Sequence, residues 1–486
     1  MKTNFVIMLF LSFSFAKINF SYNGEFTQFY SQRTSNNEVL NVPFNMIDFH
    51  TSIQMENFGI KSYITSEYHQ TYDNYLHSKN ITHNIRELYG TFYFDLGEIS
   101  IGKKIFTLGS VDENSPIDHY NPYNYYYLLT GGMDKKIGVN ALSFDFYLDN
   151  DYIISGAISP DHNINHYPED DPEYELSLPV HPTKYDFMKE KGSRHESFLS
   201  IKKSNMNNEF TMTYTRAFDR VFSLSGFVTF FPQFGSNPIT ENKFSYRLTE
   251  SLTFGSIFLL DDLTIRSDFS LFHSFDRNNI NDYMNLMSKA DQIFCESSFG
   301  CNDNLLEIYT GNLNGIEDVP FALPLNENAY YSQMNIQVEL PLPNNWQVNL
   351  QFFKFALEKY RSTNYLTEDI DLPLTQISSG GFFNPGFGSS MATLSKKTIL
   401  LSIEKSMFDN NLKSTFSSFF DLDQGDGELF SFELEYEISN NITFIFGSTK
   451  IYGDSSVQPN SDYDLGYTFN LMEDFSHNRV QLSYFF

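Results

Sequence analysis

Apolar and polar side chains alternate with period two along most of this chain, in segments of about ten residues, the length of an extended strand tilted across a bilayer. Met334, Ile336, Val338 and Leu340 form one face of such a segment, and Gln333, Asn335, Gln337 and Glu339 form the other. Leu142, Phe144, Phe146 and Leu148 stand against Ser143, Asp145, Tyr147 and Asp149, and Leu263, Ile265, Phe269 and Leu271 against Thr264, Arg266 and Asp268. The pattern is sharpest near the end, where Phe430, Phe432, Leu434, Tyr436 and Ile438 oppose Ser431, Glu433, Glu435 and Glu437. Helical spacing is confined to Tyr283, Leu286, Met287, Ala290 and Phe294, which predict a short helix between Asn281 and Phe294.

A soluble β-sandwich also alternates, so the connections carry the distinction. Tight ones at Asn57–Gly59, Leu96–Glu98, Asp149–Asp151, Asp261–Asp262, Pro341–Asn345, Asp409–Asn411 and Ser439–Asn441 are rich in Asn, Asp, Gly and Pro. Between them lie long polar ones, Leu108–Met133, Pro160–Ser193, Asp276–Asn328 and Tyr360–Thr393. Short turns taking turns with long loops are the signature of a transmembrane barrel. Strict alternation also makes a parity test. Counted from either end of the chain, the stretch from Glu209 to Phe231 must run toward the long loops, so it is expected to be one strand, bulged at Asp219–Arg220. That brings the total to about eighteen strands, within a range of roughly 16–20, and a hairpin in that stretch would break the count.

Composition agrees with a sheet that meets oil on one side and water on the other. The chain carries 51 Phe and 31 Tyr but one Trp, while its mean hydropathy is −0.33. Lys2 followed by the apolar run Phe5–Phe15, ending in Ser14-Phe15-Ala16, reads as an export signal over residues 1–16. The run is too short to span as a helix, which needs roughly 20 apolar residues. No linker divides the rest, so residues 17–486 are expected to be one all-β domain. A formal charge of −28 without a basic stripe excludes nucleic acid as a partner. Cys295 and Cys301 stand in the long Asp276–Asn328 connection, and in an exported chain a disulfide between them is expected.

Chemistry-bearing motifs are sparse. Asp118-His119 and Asp161-His162 are adjacent pairs that point to opposite faces of an extended chain, and no nucleophile elbow or helical His pair occurs, so no catalytic residue and no cofactor are expected. Asp421, Asp423, Asp426 and Glu428 with Gly425 and Gly427 suggest either a solvated hairpin tip or a calcium loop, the glycine being misplaced for the helix-loop-helix form. Pro168–Pro172 reads as an exposed, stiffened loop.

Two stretches resemble known families. The closing alternation of Val480, Leu482, Tyr484 and Phe486 against Arg479, Gln481 and Ser483 resembles the C-terminal insertion signal of bacterial outer-membrane proteins. The resemblance implies that the barrel assembly machinery reads Tyr484 and Phe486. Gly102-Lys103-Lys104 through Leu108-Gly109-Ser110-Val111-Asp112, then Asn121-Pro122, resembles a pattern of porin-like families that include alginate-export porins, with Lys103-Lys104 and Leu108 departing from it. It implies that the third long connection folds into the barrel. That would place Asp112, Glu113, Asp118, His119 and Tyr120 at a constriction facing wall cations such as Lys103 or Arg266; otherwise the loop caps the outside.

If the polar face meets the lumen, Asp145, Asp268, Glu339, Glu404, Glu433, Glu435 and Glu437 outnumber Arg266 and Lys397, and a passage lined by one sign concentrates the opposite ion. The expectation is a porin-like channel in the bacterial outer membrane for passive diffusion of small hydrophilic solutes, weakly cation-preferring, with membrane lipids around it and a homo-oligomer left open. The alternative is a surface adhesin or structural barrel whose lumen is blocked.

Overall fold

In the computed structural model, residues 18–40, 44–72, 77–127, 136–166, 195–230, 239–276, 321–362, 370–372, 375–377, 383–457 and 467–486 are described. The expected signal, the expected helix Asn281–Phe294, Pro168–Pro172 and the cysteines Cys295 and Cys301 lie outside them.

Eighteen strands close into one antiparallel ring. They are β1 (Asn19–Arg33), β2 (Asn45–Gln54), β3 (Phe58–Tyr72), β4 (His77–Phe94), β5 (Gly97–Lys104), β6 (Val139–Leu148), β7 (Tyr152–Ser159), β8 (Glu196–Ser204) and β9 (Asn208–Phe218). The ring continues through β10 (Leu248–Leu260), β11 (Leu263–Phe275), β12 (Glu327–Leu342), β13 (Trp346–Ser362), β14 (Lys397–Met407), β15 (Leu412–Asp421), β16 (Glu428–Ser439), β17 (Ile442–Tyr452) and β18 (His477–Phe485). Each strand pairs with the next, and β18 returns to β1 in register from Glu25 opposite Phe485 to Arg33 opposite His477. Closure removes every free edge, which is what lets a sheet sit in hydrocarbon.

The pleat faces as the alternation predicts. On β1, Phe20, Tyr22, Phe26 and Tyr30 are exposed on the outside while Thr27, Phe29 and Ser31 are buried inside. On β12, Gln333, Asn335 and Gln337 are buried inside, and Met334, Ile336, Val338 and Leu340 are not. Such an exterior belongs in a membrane, because in water it would expose apolar area on every strand. Tight turns gather at the end where the first and last described residues lie. Asn150, Asp151, Asp261, Asn344, Asn345, Asp409 and Asn410 take left-handed backbone there, a conformation Asn and Asp tolerate best after glycine.

The strand expected from Glu209 to Phe231 is corrected in form but not in direction. β9 stops at Phe218, and the chain resumes as Ser223–Phe230 in a separate three-stranded sheet with Ile239–Ser245 and Phe321–Pro324. Asp219 and Arg220 are both buried, and each makes buried ion pairs. Successive residues of a pleated strand cannot both face inward, so the pleat breaks there. The count of eighteen stands because the interrupted segment keeps its heading.

Candidate functional site: a loop-lined lumen

Beyond β5 the chain leaves the wall and crosses the barrel. Asn121 clasps the two stems of this loop: its Oδ1 accepts from the Phe106 N–H at 2.8 Å, and its Nδ2 donates to Ile137 O at 2.8 Å and to Lys104 O at 3.4 Å. The loop tip reaches β11 and β12, six and seven strands away around the ring. There the Ser110 and Val111 N–H groups donate to the Asp268 carboxylate at 2.9 and 3.0 Å. The Asp112 N–H donates to Gln337 Oε1 at 3.1 Å, Gln337 Nε2 returns a bond to Asp112 Oδ2 at 2.8 Å, and Asn335 Nδ2 donates to Asn114 O at 3.1 Å.

A second segment, between β13 and β14, also turns inward. Phe387 O accepts from Tyr331 Oη at 3.1 Å, and the Ser389 N–H donates to Gln333 Oε1 at 2.8 Å. The two loops meet where the His119 ring lies 4.0 Å from that of Phe387. His119 Nδ1 sits 2.6 Å from Pro116 O, and burial, helped by the charge of Arg220, lowers its pKa to about 3. Burial also raises the Tyr120 hydroxyl.

Two buried arginines tie these loops to the wall. Arg220 makes a bidentate pair with Glu196 at 2.9 Å on both arms, and the same arms donate to Asn163 O at 2.7 Å and Tyr120 O at 2.5 Å. Arg247 joins Asp219 and Glu327, each at 2.9 Å, and donates to Asn384 O at 2.6 Å. Nearby, burial pushes Asp276 up to about 7.

These contacts fill the β8–β12 side and leave a cavity of about 930 Å³ against the β13–β18 wall. Glu404, Thr415, Glu433, Gly447 and Arg479 stand in one row across that wall, and Ser402, Ser417, Ser431, Thr449 and His477 in the next inward row. Lys413 pairs with Glu404 at 3.0 Å and Arg479 with Glu433 at 2.6 Å. Asp112, Glu113 and Asp118 face them from the loop, Asp118 pairing with Lys136 at 2.5 Å.

The expected site residues therefore divide. Glu404, Glu433, Glu435, Asp112, Glu113 and Asp118 line the cavity. Asp145 faces inward elsewhere, 3.9 Å from Lys104. Lys103 lies in register with Leu88 and Asn140, both exposed, so the alternation turns it outward and brings Lys104 in. Asp268 is covered by the loop, and Arg266 pairs with Glu339 at 2.5 Å and with Asp112 at 3.5 Å beside it, so these three act as loop contacts, not as free lining. His119 and Tyr120 are buried packing, not a face of the constriction. Glu437 is exposed beside the Ser439 turn, away from the cavity. Tyr484 and Phe486 point outward at the seam, their ring centroids 6.2 Å apart. The Asp421 carboxylate is taken up by Ser395 Oγ, Tyr467 Oη and the Asp423 N–H, and among the described residues no His, Cys, Asp and Glu group is arranged to hold a metal.

Sequence reasoning gave no part in the site to Lys136, Lys413, Arg479, Arg220 and Arg247. The signal for Lys413 and Arg479 was available, since both fall on polar faces of alternating segments. Nothing local marks the partners of Arg220 and Arg247, which are distant in sequence.

No family model and no curated protein matches the chain. Among solved structures it is similar to OccK5 (OpdH) of Pseudomonas aeruginosa, at 10% identity over 96% of this chain and 98% of that one, with a TM-score of 0.47. It is also similar to OccK8 (OprE) of the same organism, at 8% identity over 96% and 98%, TM-score 0.46. A third is OccAB3 of Acinetobacter baumannii, at 11% identity over 96% and 99%, TM-score 0.46. Likenesses of this size add nothing to what the closed ring already says of the fold.

Proposed function

We propose that the chain is a porin-like channel of the bacterial outer membrane, passing small hydrophilic solutes by passive diffusion between the inward loop and the β13–β18 wall, with a weak preference for cations. The observation that carries this reading is the charged frame of the cavity, the carboxylates Asp112, Glu113, Asp118, Glu404, Glu433 and Glu435 against the cations Lys136, Lys413 and Arg479. A narrow passage with excess negative charge concentrates cations and slows anions.

The stretch Gly102–Asp112 with Asn121, which resembles alginate-export-type porins, serves here to bend the chain inward, and the acidic lining argues against an acidic polysaccharide as cargo. Delivery runs through the barrel assembly machinery, with the outward Tyr484 and Phe486 of the seam strand as the segment it reads.

Reversal potentials in a planar bilayer under a salt gradient test the reading. Cation selectivity is expected, and it falls when Glu433 and Glu435 are both changed to Gln. Protein that inserts but passes no current, or that prefers anions, overturns it.

A further inference from the structure

We infer that Asp268 is the latch that holds the inward loop across the lumen and so sets the size limit of the channel, an inference that rests on the channel reading above. Asp268 lies on β11, yet its carboxylate takes its bonds from the loop: the Ser110 N–H, the Val111 N–H and Ser115 Oγ at 2.5 Å. Successive backbone N–H groups converging on a carboxylate form a charge-assisted nest, stronger than a bond between neutral groups.

The wall is shaped to receive the loop at that point. Gly255, directly opposite Asp268 on β10, has no side chain, and a Cβ there would lie 2.5 Å from Ser110 Oγ. On the loop side Gly109 takes a φ of +97°, and a Cβ there would lie 2.2 Å from Ser115 Oγ. A carboxylate on one strand, a gap on the next and a left-handed glycine in the loop together make a socket. Gln337 and Asn335 contact the tip with neutral amides, and the charged Arg266 reaches it by one arm only, at 3.2 Å from Ser110 O and 3.5 Å from Asp112 Oδ1, where Asp268 gathers three donors. The loop so held presents Asp112 and Glu113 to the cavity, so releasing it would both widen the passage and remove part of its negative lining.

Three variants in the full chain decide it. Asp268→Ala removes the latch; Gly255→Val keeps the carboxylate but fills the socket, a Cβ there lying 2.5 Å from Ser110 Oγ and 2.7 Å from Asp268 Oδ1; Thr253→Val is the control, since the Thr253 hydroxyl donates to Thr213 O on the wall. Single-channel conductance, the largest polyethylene glycol that enters the pore, and protease cleavage mapped within residues 105–127 are read on each. Asp268→Ala and Gly255→Val are expected to raise conductance about two-fold, to admit a larger polymer and to expose the loop, with Thr253→Val at wild-type values. Asp268→Ala protein that keeps its heat-modifiable gel mobility with wild-type conductance and a protected loop overturns the latch. Should Asp268→Ala not fold, Gly255→Val decides the matter by the same three readouts. Wild-type protein that passes no current would sink the channel reading instead, and loop cleavage would still judge the latch.

Discussion

Replacing Arg220 by leucine strips a fully buried carboxylate of its strongest partner. Glu196 has no exposed side-chain surface, and both its oxygens accept from the Arg220 guanidinium at 2.9 Å. The same guanidinium also serves the carbonyls of Tyr120 and Asn163, which belong to two different loops. Breaking one side of a buried pair costs about 3–5 kcal/mol, and each carbonyl left dry adds about 1 kcal/mol or more where water cannot enter. The variant should therefore lose about 5–7 kcal/mol, against a loss of about 2 kcal/mol for the double variant Glu196→Gln/Arg220→Leu, which leaves the two carbonyls dry but no buried charge behind. His162 also touches this carboxylate, its Nδ1 lying 2.8 Å from Glu196 Oε1. Urea titration in lipid vesicles measures this, with the fluorescence of Trp346, the chain's one tryptophan, as the reporter at the start of β13. An Arg220→Leu protein within about 1 kcal/mol of wild type, or a double variant no better than the single, would refute the claim that this pair anchors the loops.

His119 supplies a pH dependence of known sign. Its folded pKa is lowered from 6.5 to about 3 by burial, so its contribution is complete above pH 6.5 and is lost as pH falls toward 3. The slope is about 1.4 kcal/mol per pH unit, and His119→Asn should flatten the acid limb of a stability curve measured between pH 7 and 4; an unchanged limb would show the ring is not buried as described. Tyr467→Phe removes a hydroxyl that donates to Asp421 at 2.6 Å and accepts from the Gly427 N–H at 2.9 Å. A loss of about 1–3 kcal/mol is expected from the urea midpoint, and no change would mean that water replaces both bonds.

Strand number, the facing of each row and the closed ring were legible in the residues themselves, because a pleat permits only two directions for a side chain and a membrane reverses which of them is greasy. Gln333, Asn335 and Gln337 show this: their inward facing follows from the alternation with Met334, Ile336 and Val338 alone. The acidic lining at Glu404, Glu433 and Glu435 was legible for the same reason. The break at Asp219–Arg220 was legible only as a bulge, since its form answers to Glu196 and Arg247, which the pairing of β9 with its two neighbouring strands brings within reach. Nor could alternation tell that Asp268 would be roofed by Ser110 and Val111 while Glu433 stayed on the cavity, although both are inward carboxylates on neighbouring halves of one wall. Local pattern decides whether a side chain faces oil or the lumen; which part of the lumen remains water is decided by contacts between residues more than a hundred positions apart, such as Ser110 and Asp268, and those exist only once the barrel has closed.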